Sequence, residues 1–164
     1  MTTQIQRIYI HATPEAIWEA ITKPEWSQRY GYATPVEYEL KPGGRFRAYA
    51  NAGMKKFEGI PDVVIDGEVI ECDPPRRLVQ TWRMCMTPEL EREGFTRLTY
   101  EIEPGRGGVT RLTVTHDLSN APLIARALAG QAESEGAGGG WSEVLSGIKT
   151  LLETGRALPF QSGR

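Results

Sequence analysis

Apolar residues recur at helical spacing near the C-terminal end of this 164-residue chain. Between residues 140 and 155 they lie three or four positions apart, which places them on one wide face of a helix and leaves the opposite face polar. The apolar face consists of Trp141, Val144, Leu145, Ile148, Leu151 and Leu152. The spacing predicts one long amphipathic helix, which needs a sheet or other helices to cover its apolar side.

Short strands and turn signals fill most of the chain between Val36 and Asp117. Apolar and polar residues alternate there with a period of two, which is typical of half-buried strands, and clusters of Pro and Gly separate them. The predicted strands are 36–40, 45–50, 63–72, 78–86, 95–103 and 109–117, and one more, 5–11, precedes them. The turns between neighbouring strands predict antiparallel hairpins.

Two short helices are predicted after the first strand. Thr13 offers a side-chain oxygen for the N-cap, Pro14 suits the first helical position, and Glu15 complements the helix dipole. A second short helical turn begins near Pro24.

A longer connection joins the last strand to the final helix. Leu123, Ile124, Ala127 and Leu128 predict an extra helix within residues 121–133, and the glycine run 136–140 predicts a flexible joint. Long connections often serve as lids or partner surfaces, so residues 119–140 are predicted to form a mobile flap.

Four motifs occur in an order that resembles a known family. They are Gly43-Gly44-Arg45-Phe46-Arg47, the hairpin from Gly67 to Trp82 with its Pro74-Pro75 turn, the strand from Thr110 to His116, and the helix from Trp141 to Gly155. Over roughly residues 5–158 the chain resembles the START-like (SRPBCC) superfamily, in the branch similar to the C-terminal domain of activators of heat-shock protein 90 ATPase.

The resemblance implies a single α+β domain, spanning residues 1–164, with the helix-grip (START-like or Bet v-like) fold. In this fold a curved antiparallel sheet wraps around a long C-terminal helix, and short helices follow the first strand. The resemblance also implies function. Relatives often bind lipids, sterols or polyketide-like molecules in a cavity, some are cyclases or hydrolases, and the name-giving relatives are chaperone cofactors.

Strand alternation predicts which side chains face that cavity. Leu98, Tyr100 and Ile102 share a face, and pairing across the glycine turn is expected to set them opposite Val114, Leu112 and Thr110, with His116 opposite Thr96. The next strand is expected to bring Trp82 beside Tyr100. The predicted ligand-binding residues are Trp82, Tyr100, His116, Leu98, Leu112, Val114, Trp141 and Leu145.

Glu68 is a further candidate, because two patterns disagree on its orientation. Counting back from the Pro74-Pro75 turn sets Glu68 opposite Trp82 and facing inward, whereas the apolar pattern of the strand favours the opposite face. A bulge near Gly67 or near the prolines would reconcile the two patterns.

Each candidate also has a structural interpretation. Trp82 and Tyr100 can stack on a flat ligand or simply fill the core under Trp141. His116 can move a proton together with Tyr100, which is the basis of a cyclase or hydrolase alternative, or it can be a hydrogen-bonded histidine at a strand end. Trp26, Tyr30 and Tyr32 can rim a pocket mouth or anchor the short helices.

Composition excludes several classes of function. A net charge of −2 at pH 7 argues against nucleic-acid binding. No window is apolar enough to span a bilayer and residues 1–6 do not form a secretory signal, so the protein is expected to be cytoplasmic, with no membrane partner.

The motifs predict neither a cofactor nor covalent chemistry. Cys72 and Cys85 lie near opposite ends of a predicted hairpin, beyond disulfide reach, and they lack the spacing of a metal site. A nucleophile elbow and a P-loop are both missing from the sequence. The leading hypothesis is therefore a non-catalytic binding protein for a small hydrophobic molecule, without metal or cofactor. A chaperone-cofactor role is the third hypothesis, and a homodimer is possible.

Overall fold

The computed structural model describes residues 2–135 and 138–159. Strands are β1 (Thr3–Ile10), β2 (Val36–Tyr38), β3 (Arg45–Tyr49), β4 (Val63–Asp73), β5 (Arg77–Met84), β6 (Thr96–Pro104) and β7 (Thr110–Asp117). Helices are α1 (Pro14–Thr22), α2 (Pro24–Ser27), α3 (Pro88–Arg92), α4 (Pro122–Leu128) and α5 (Trp141–Thr154). Short 3-10 turns occur at Met54–Lys56 and Glu133–Glu135.

The described strands form one curved antiparallel sheet in the order β1-β7-β6-β5-β4-β3-β2. Each strand from β2 to β6 pairs with the strand that follows it in the chain, and β1 pairs with β7. The two edge strands are therefore β1 and β2. The predicted α+β helix-grip architecture is confirmed: the apolar face of α5 packs on the inner face of this sheet. The fully buried contacts include Leu78, Ile102 and Leu112 from the sheet and Ile148 and Leu151 from the helix.

Local signals place the ends of the helices as the sequence predicts. The Thr13 hydroxyl accepts a hydrogen bond from the amide of Ala16 at 3.1 Å, and Pro14 occupies the first turn of α1. Gly155 ends α5 in the left-handed conformation, with φ of 77°, which glycine adopts without steric cost.

The register of the β6–β7 hairpin differs from the predicted register by two residues. Leu98 lies opposite His116, Tyr100 opposite Val114, and Ile102 opposite Leu112. The prediction was wrong because β6 continues to Pro104 and the turn spans residues 105–109, closed by the Gly105 amide on the Val109 carbonyl at 2.8 Å. A shift of two residues keeps each side chain on the same face, so the predicted inner face is correct.

The predicted pairing of Trp82 with Tyr100 is also wrong. Trp82 lies opposite Thr96, and Tyr100 lies opposite Leu78 four residues away along β5. The two rings remain on the same inner side of the sheet because the displacement is an even number of residues.

Glu68 faces solvent, which corrects the cavity assignment. β4 pairs regularly with β5 as far as Val69, and the register then shifts by one residue between Val69 and Glu71. The bulge at Ile70 therefore lies between Glu68 and the Pro74-Pro75 turn, so counting back from the turn is one residue out at Glu68, and the side chain points away from the inner face. Glu68 is exposed, and its amide donates to the Thr81 hydroxyl at 2.8 Å on the outer face.

The glycine run before α5 is close-packed where the structure describes it. A Cβ on Gly138 would lie 2.1 Å from the Tyr32 ring, and one on Gly140, whose φ is +72°, would lie 2.1 Å from the Leu128 carbonyl oxygen. The glycine run predicted a flexible joint, yet Gly138 and Gly140 are needed because other parts of the chain lie too close for a side chain. Gly136 and Ala137 lie outside the described residues. Within the described ranges, no helix is both long and apolar enough to cross a membrane.

Candidate functional site

A cavity of about 110 Å³ lies between the sheet, the α1–β2 connection and the first turn of α5. We call it the inner cavity. Its sheet wall includes Tyr38, Phe46, Ala48, Ile65, Trp82 and Tyr100. The opposite wall includes Ile21, Tyr30, Tyr32, Leu128, Trp141 and Val144.

Aromatic rings dominate the inner cavity, and its described lining contains no Asp, Glu, Lys, Arg or His. Trp141 stands edge-on to Tyr100, with ring centroids 6.1 Å apart and an interplanar angle of 82°. Such T-shaped contacts are favourable for aromatic pairs. The site is therefore an apolar, electrically neutral space with a few hydroxyl groups.

Two of the cavity tyrosines donate their hydroxyl hydrogens to the protein. The Tyr30 hydroxyl donates to the Ala20 carbonyl at 2.7 Å, and the Tyr38 hydroxyl donates to Oε1 of Gln80 at 2.6 Å. Gln80 is completely buried, so this bond satisfies a carbonyl that has no access to water.

Tyr100 differs from these two. Within residues 2–135 and 138–159 its hydroxyl makes no hydrogen bond to protein. The hydroxyl oxygen is nevertheless not fully buried, since it keeps some accessible surface. Burial raises the pKa values of Tyr100, Tyr30 and Tyr38, and the nearby Tyr100 phenol raises those of Tyr30 and Tyr38 further. The Tyr100 hydroxyl thus opens onto the inner cavity as a neutral phenol.

His116 sits behind this wall in a chain of hydrogen bonds. Nε1 of Trp141 donates to Nδ1 of His116 at 3.2 Å, and Nε2 of His116 lies 2.7 Å from the Thr96 hydroxyl. The Thr96 hydroxyl in turn donates to the Trp82 carbonyl at 2.7 Å. Since an indole N–H only donates, Nδ1 must accept, and the ring is neutral with its hydrogen on Nε2.

Burial lowers the pKa of His116 to about 3, against a weak opposing effect of Asp117. The imidazole is completely buried, and the Trp82 ring packs edge-on at a centroid distance of 5.1 Å. The structure therefore shows His116 as a connection between the sheet and α5, with both nitrogens occupied.

Apart from Glu68, which is exposed to solvent, the predicted site residues divide into two groups. Trp82, Tyr100 and Trp141 line the inner cavity. Packed core surrounds the others, since His116, Leu98, Leu112, Val114 and Leu145 are all buried and lie outside the lining.

Sequence reasoning missed part of the wall. Tyr38 and Gln80 were placed in strands without a role, and Leu128 was assigned to the flap. The aromatic cluster after α1 held the signal: Tyr30 and Tyr32 line the inner cavity, whereas Trp26 packs under the Arg29 guanidinium at 5.0 Å.

The connection that carries α4 packs into the protein. Both carboxylate oxygens of Glu93 accept amide hydrogen bonds at the start of α4, from Leu123 at 2.8 Å and from Ile124 at 3.0 Å. Gln4 donates its side-chain amide to the Ala125 carbonyl at 2.7 Å. Leu128, at the end of α4, is buried and belongs to the cavity wall. These contacts make α4 a wall element, and its mobility stays a prediction.

The sequence matches the family "Activator of Hsp90 ATPase homolog 1-like protein" over residues 11–153, which is most of the chain. The chain belongs to this family. The match includes every strand except β1, together with nearly all of α5, so it covers the elements that enclose the inner cavity. A comparison with curated proteins gave no match.

Solved structures agree with this family membership. The Hsp90 activator PFC0360w from Plasmodium falciparum matches with a TM-score of 0.64 and 20% identity, over 93% of this chain and 97% of that chain. The Aha1 dimer from Colwellia psychrerythraea matches with a TM-score of 0.65 and 18% identity, over 96% and 100%.

A third neighbour is CalU16 from Micromonospora echinospora, with a TM-score of 0.64 and 19% identity, over 97% of this chain and 70% of that chain. At these identities the three structures show a common START-like fold. The activity of the family member described here has to be argued from its own residues.

Proposed function

We propose that this protein binds a small aromatic or apolar molecule in the inner cavity. The observation that supports the proposal is the lining itself, which is aromatic and aliphatic, free of charged side chains in the described residues, and provided with few hydroxyl groups. Small-molecule sites have this composition, with a few placed polar groups that fix orientation.

Cavity volume limits how much of a molecule the walls can enclose. An engineered, apolar protein cavity of about 150 Å³ binds benzene, so a cavity of about 110 Å³ suits a compound built on a single ring. The inner cavity is partly open, so a larger ligand would project beyond its walls.

The test is a binding measurement with single-ring probes such as toluene and phenol, by thermal shift and by titration calorimetry. A ligand that binds the folded state raises its stability in proportion to occupancy. The Val144→Phe variant fills the cavity and is expected to abolish this shift. Ser146→Phe adds the same ring to an exposed position of α5 and is expected to leave the shift unchanged. Absence of binding by every single-ring probe to the unmodified protein would remove the proposal.

The cyclase or hydrolase alternative loses its proposed base. Both His116 nitrogens are occupied and burial lowers the pKa of the imidazole to about 3. A general base works best with a pKa near the operating pH. Binding without turnover therefore remains the better-supported function.

Family membership supports a second candidate, an activator of an Hsp90-class ATPase. The family description and the Plasmodium falciparum neighbour both carry that activity in their names. The measurement is the steady-state ATPase rate of a purified Hsp90 with and without this protein. An increase that survives Val144→Phe would separate chaperone activation from occupancy of the inner cavity.

The homodimer stays a prediction, to which the Colwellia psychrerythraea dimer adds support. Edge strand β1 exposes Ile5 and Tyr9 on its outer side. Light scattering across a concentration series measures the oligomeric state, and Ile5→Lys is expected to weaken a dimer formed at this edge.

A further inference from the structure

We infer that the inner cavity selects electrically neutral aromatic molecules that carry a hydrogen-bond acceptor, and that Tyr100 is the donor that determines this specificity. The inference rests on the proposed binding function and adds the chemical class of the ligand.

Neutrality follows from the walls. The described lining offers no cationic side chain to pair with a carboxylate and no anionic side chain to pair with an amine. Moving an unpaired charge from water into such surroundings is strongly unfavourable. Fatty acids and aromatic acids in their ionised forms are therefore poor ligands, and neutral molecules are favoured.

The preference for an acceptor follows from a difference between the tyrosine hydroxyls of the lining. The hydroxyl hydrogens of Tyr30 and Tyr38 are directed to Ala20 and Gln80, at 2.7 and 2.6 Å. The Tyr100 hydroxyl has no such partner in the described part of the chain. A ligand carbonyl or ether oxygen can accept this hydrogen, whereas a hydrocarbon leaves it unpaired.

The position of the donor is fixed by its neighbours. Trp141 holds the Tyr100 ring edge-on at 6.1 Å, and the Trp141 indole is held in turn by its hydrogen bond to His116. A preorganised donor loses little conformational entropy when a ligand binds. Burial also raises the pKa of Tyr100, so the phenol keeps its hydrogen at neutral pH.

The experiment compares acetophenone with α-methylstyrene, which has the same shape but carries a methylene group in place of the carbonyl oxygen. Dissociation constants are measured by calorimetry for the unmodified protein and for Tyr100→Phe. The variant is expected to weaken acetophenone binding about threefold to tenfold, the effect of one neutral hydrogen bond, and to leave α-methylstyrene unchanged. Tyr49→Phe, which removes a tyrosine hydroxyl outside the lining of the inner cavity, is the matched control and is expected to change neither constant.

Equal effects of Tyr100→Phe on both compounds, or an equally selective loss in Tyr49→Phe, would overturn the assignment of Tyr100 while leaving the binding function intact. Binding of benzoate to the unmodified protein tests whether the cavity excludes charged ligands, and this test needs no variant to fold. Benzoate binding as tight as that of acetophenone would contradict the inference. If toluene, acetophenone and α-methylstyrene all fail to bind, the proposed function itself fails.

Discussion

Trp141 donates its indole hydrogen to Nδ1 of His116 across 3.2 Å, and this bond ties the first turn of α5 to β7. The bond requires a neutral imidazole, because a protonated Nδ1 would present a second hydrogen to the indole. The Thr96 hydroxyl occupies the other nitrogen at 2.7 Å. The attachment of α5 to the sheet therefore depends on the protonation state of one buried side chain.

Stability is expected to fall in mild acid through His116. Burial lowers the pKa of His116 from an ordinary value near 6.5 to about 3. Between these pH values the imidazole is protonated in the unfolded chain but neutral in the folded protein. The stabilisation is complete above pH 6.5 and is lost as the pH falls towards 3. At pH 5 the loss is about 2 kcal/mol.

Urea denaturation of the unmodified protein and of His116→Gln, each at pH 7 and pH 5, measures this effect. The variant is expected to lose about 2 kcal/mol less than the unmodified protein between the two pH values. His11→Gln is the control, because the sequence contains two histidines and His11, the other one, is exposed. Identical pH dependence in all three proteins would contradict the buried, neutral assignment of His116.

A substitution at Gly140 is expected to be far more costly than one at Gly107. Both glycines have positive φ, 72° and 67°, so an alanine at either position is strained by about 1–2 kcal/mol. A Cβ at Gly140 would also lie 2.1 Å from the Leu128 carbonyl oxygen, whereas a Cβ at Gly107 has nothing within 4 Å. The comparison of Gly140→Ala with Gly107→Ala therefore isolates close packing from backbone strain.

The free energy of unfolding from denaturant titration checks this expectation. Gly140→Ala is expected to lose at least about 2 kcal/mol more than Gly107→Ala, in the range of overpacked sites. Equal losses would support the flexible joint that the glycine run predicted, since a mobile segment could move away from Leu128.

Strand periodicity predicted which faces are buried, but it did not predict which residues oppose each other. Leu98, Tyr100 and Leu112 face inward as expected, since side-chain direction depends on parity alone. Pairing depends on where a turn closes and where a bulge interrupts the ladder. The bulge at Ile70 decides the orientation of Glu68 and has no clear local signal.

The site was predicted in part for a related reason. Trp82, Tyr100 and Trp141 were found because large aromatic residues on an inner face leave few alternatives. An inner wall and a packed core have the same sequence pattern, so His116 was placed in the cavity although it lies behind it. Tertiary packing separates the two, and no local pattern records it.

Glu93 is expected to hold α4 against the protein. Its carboxylate accepts from the amides of Leu123 and Ile124, which compensates for an N-cap residue, Ala121, that offers no side-chain acceptor. Loss of such a cap costs about 1 kcal/mol. Glu93→Ala is expected to speed hydrogen exchange at these two amides more than at central strand residues.

Hydrogen exchange followed by NMR checks this, with Glu89→Ala as the control because Glu89 is exposed in the first turn of α3. The same data test the mobile flap. Protection of α4 in the unmodified protein equal to that of β6 would exclude it, and fast exchange in both proteins would show that the Glu93 cap does not hold α4.

The bond between Tyr38 and Gln80 is expected to couple a cavity wall to the core. Tyr38→Phe removes the donor and leaves Oε1 of the completely buried Gln80 without its partner, a loss of about 1–3 kcal/mol. Gln80→Met removes the acceptor and leaves the Tyr38 hydroxyl beside the inner cavity. In the double variant both partners are gone, so its loss is expected to fall below the sum of the single losses by about 1 kcal/mol.

A double-mutant cycle of unfolding free energies measures this coupling. Tyr49→Phe paired with Gln80→Met is the control, since the Tyr49 hydroxyl donates to exposed Glu37 and is independent of Gln80. Additive losses for Tyr38 and Gln80 would mean that the Tyr38 hydrogen is not committed to Gln80. Tyr38 would then be as free as Tyr100 to donate to a ligand, and the selectivity assigned to Tyr100 alone would no longer follow.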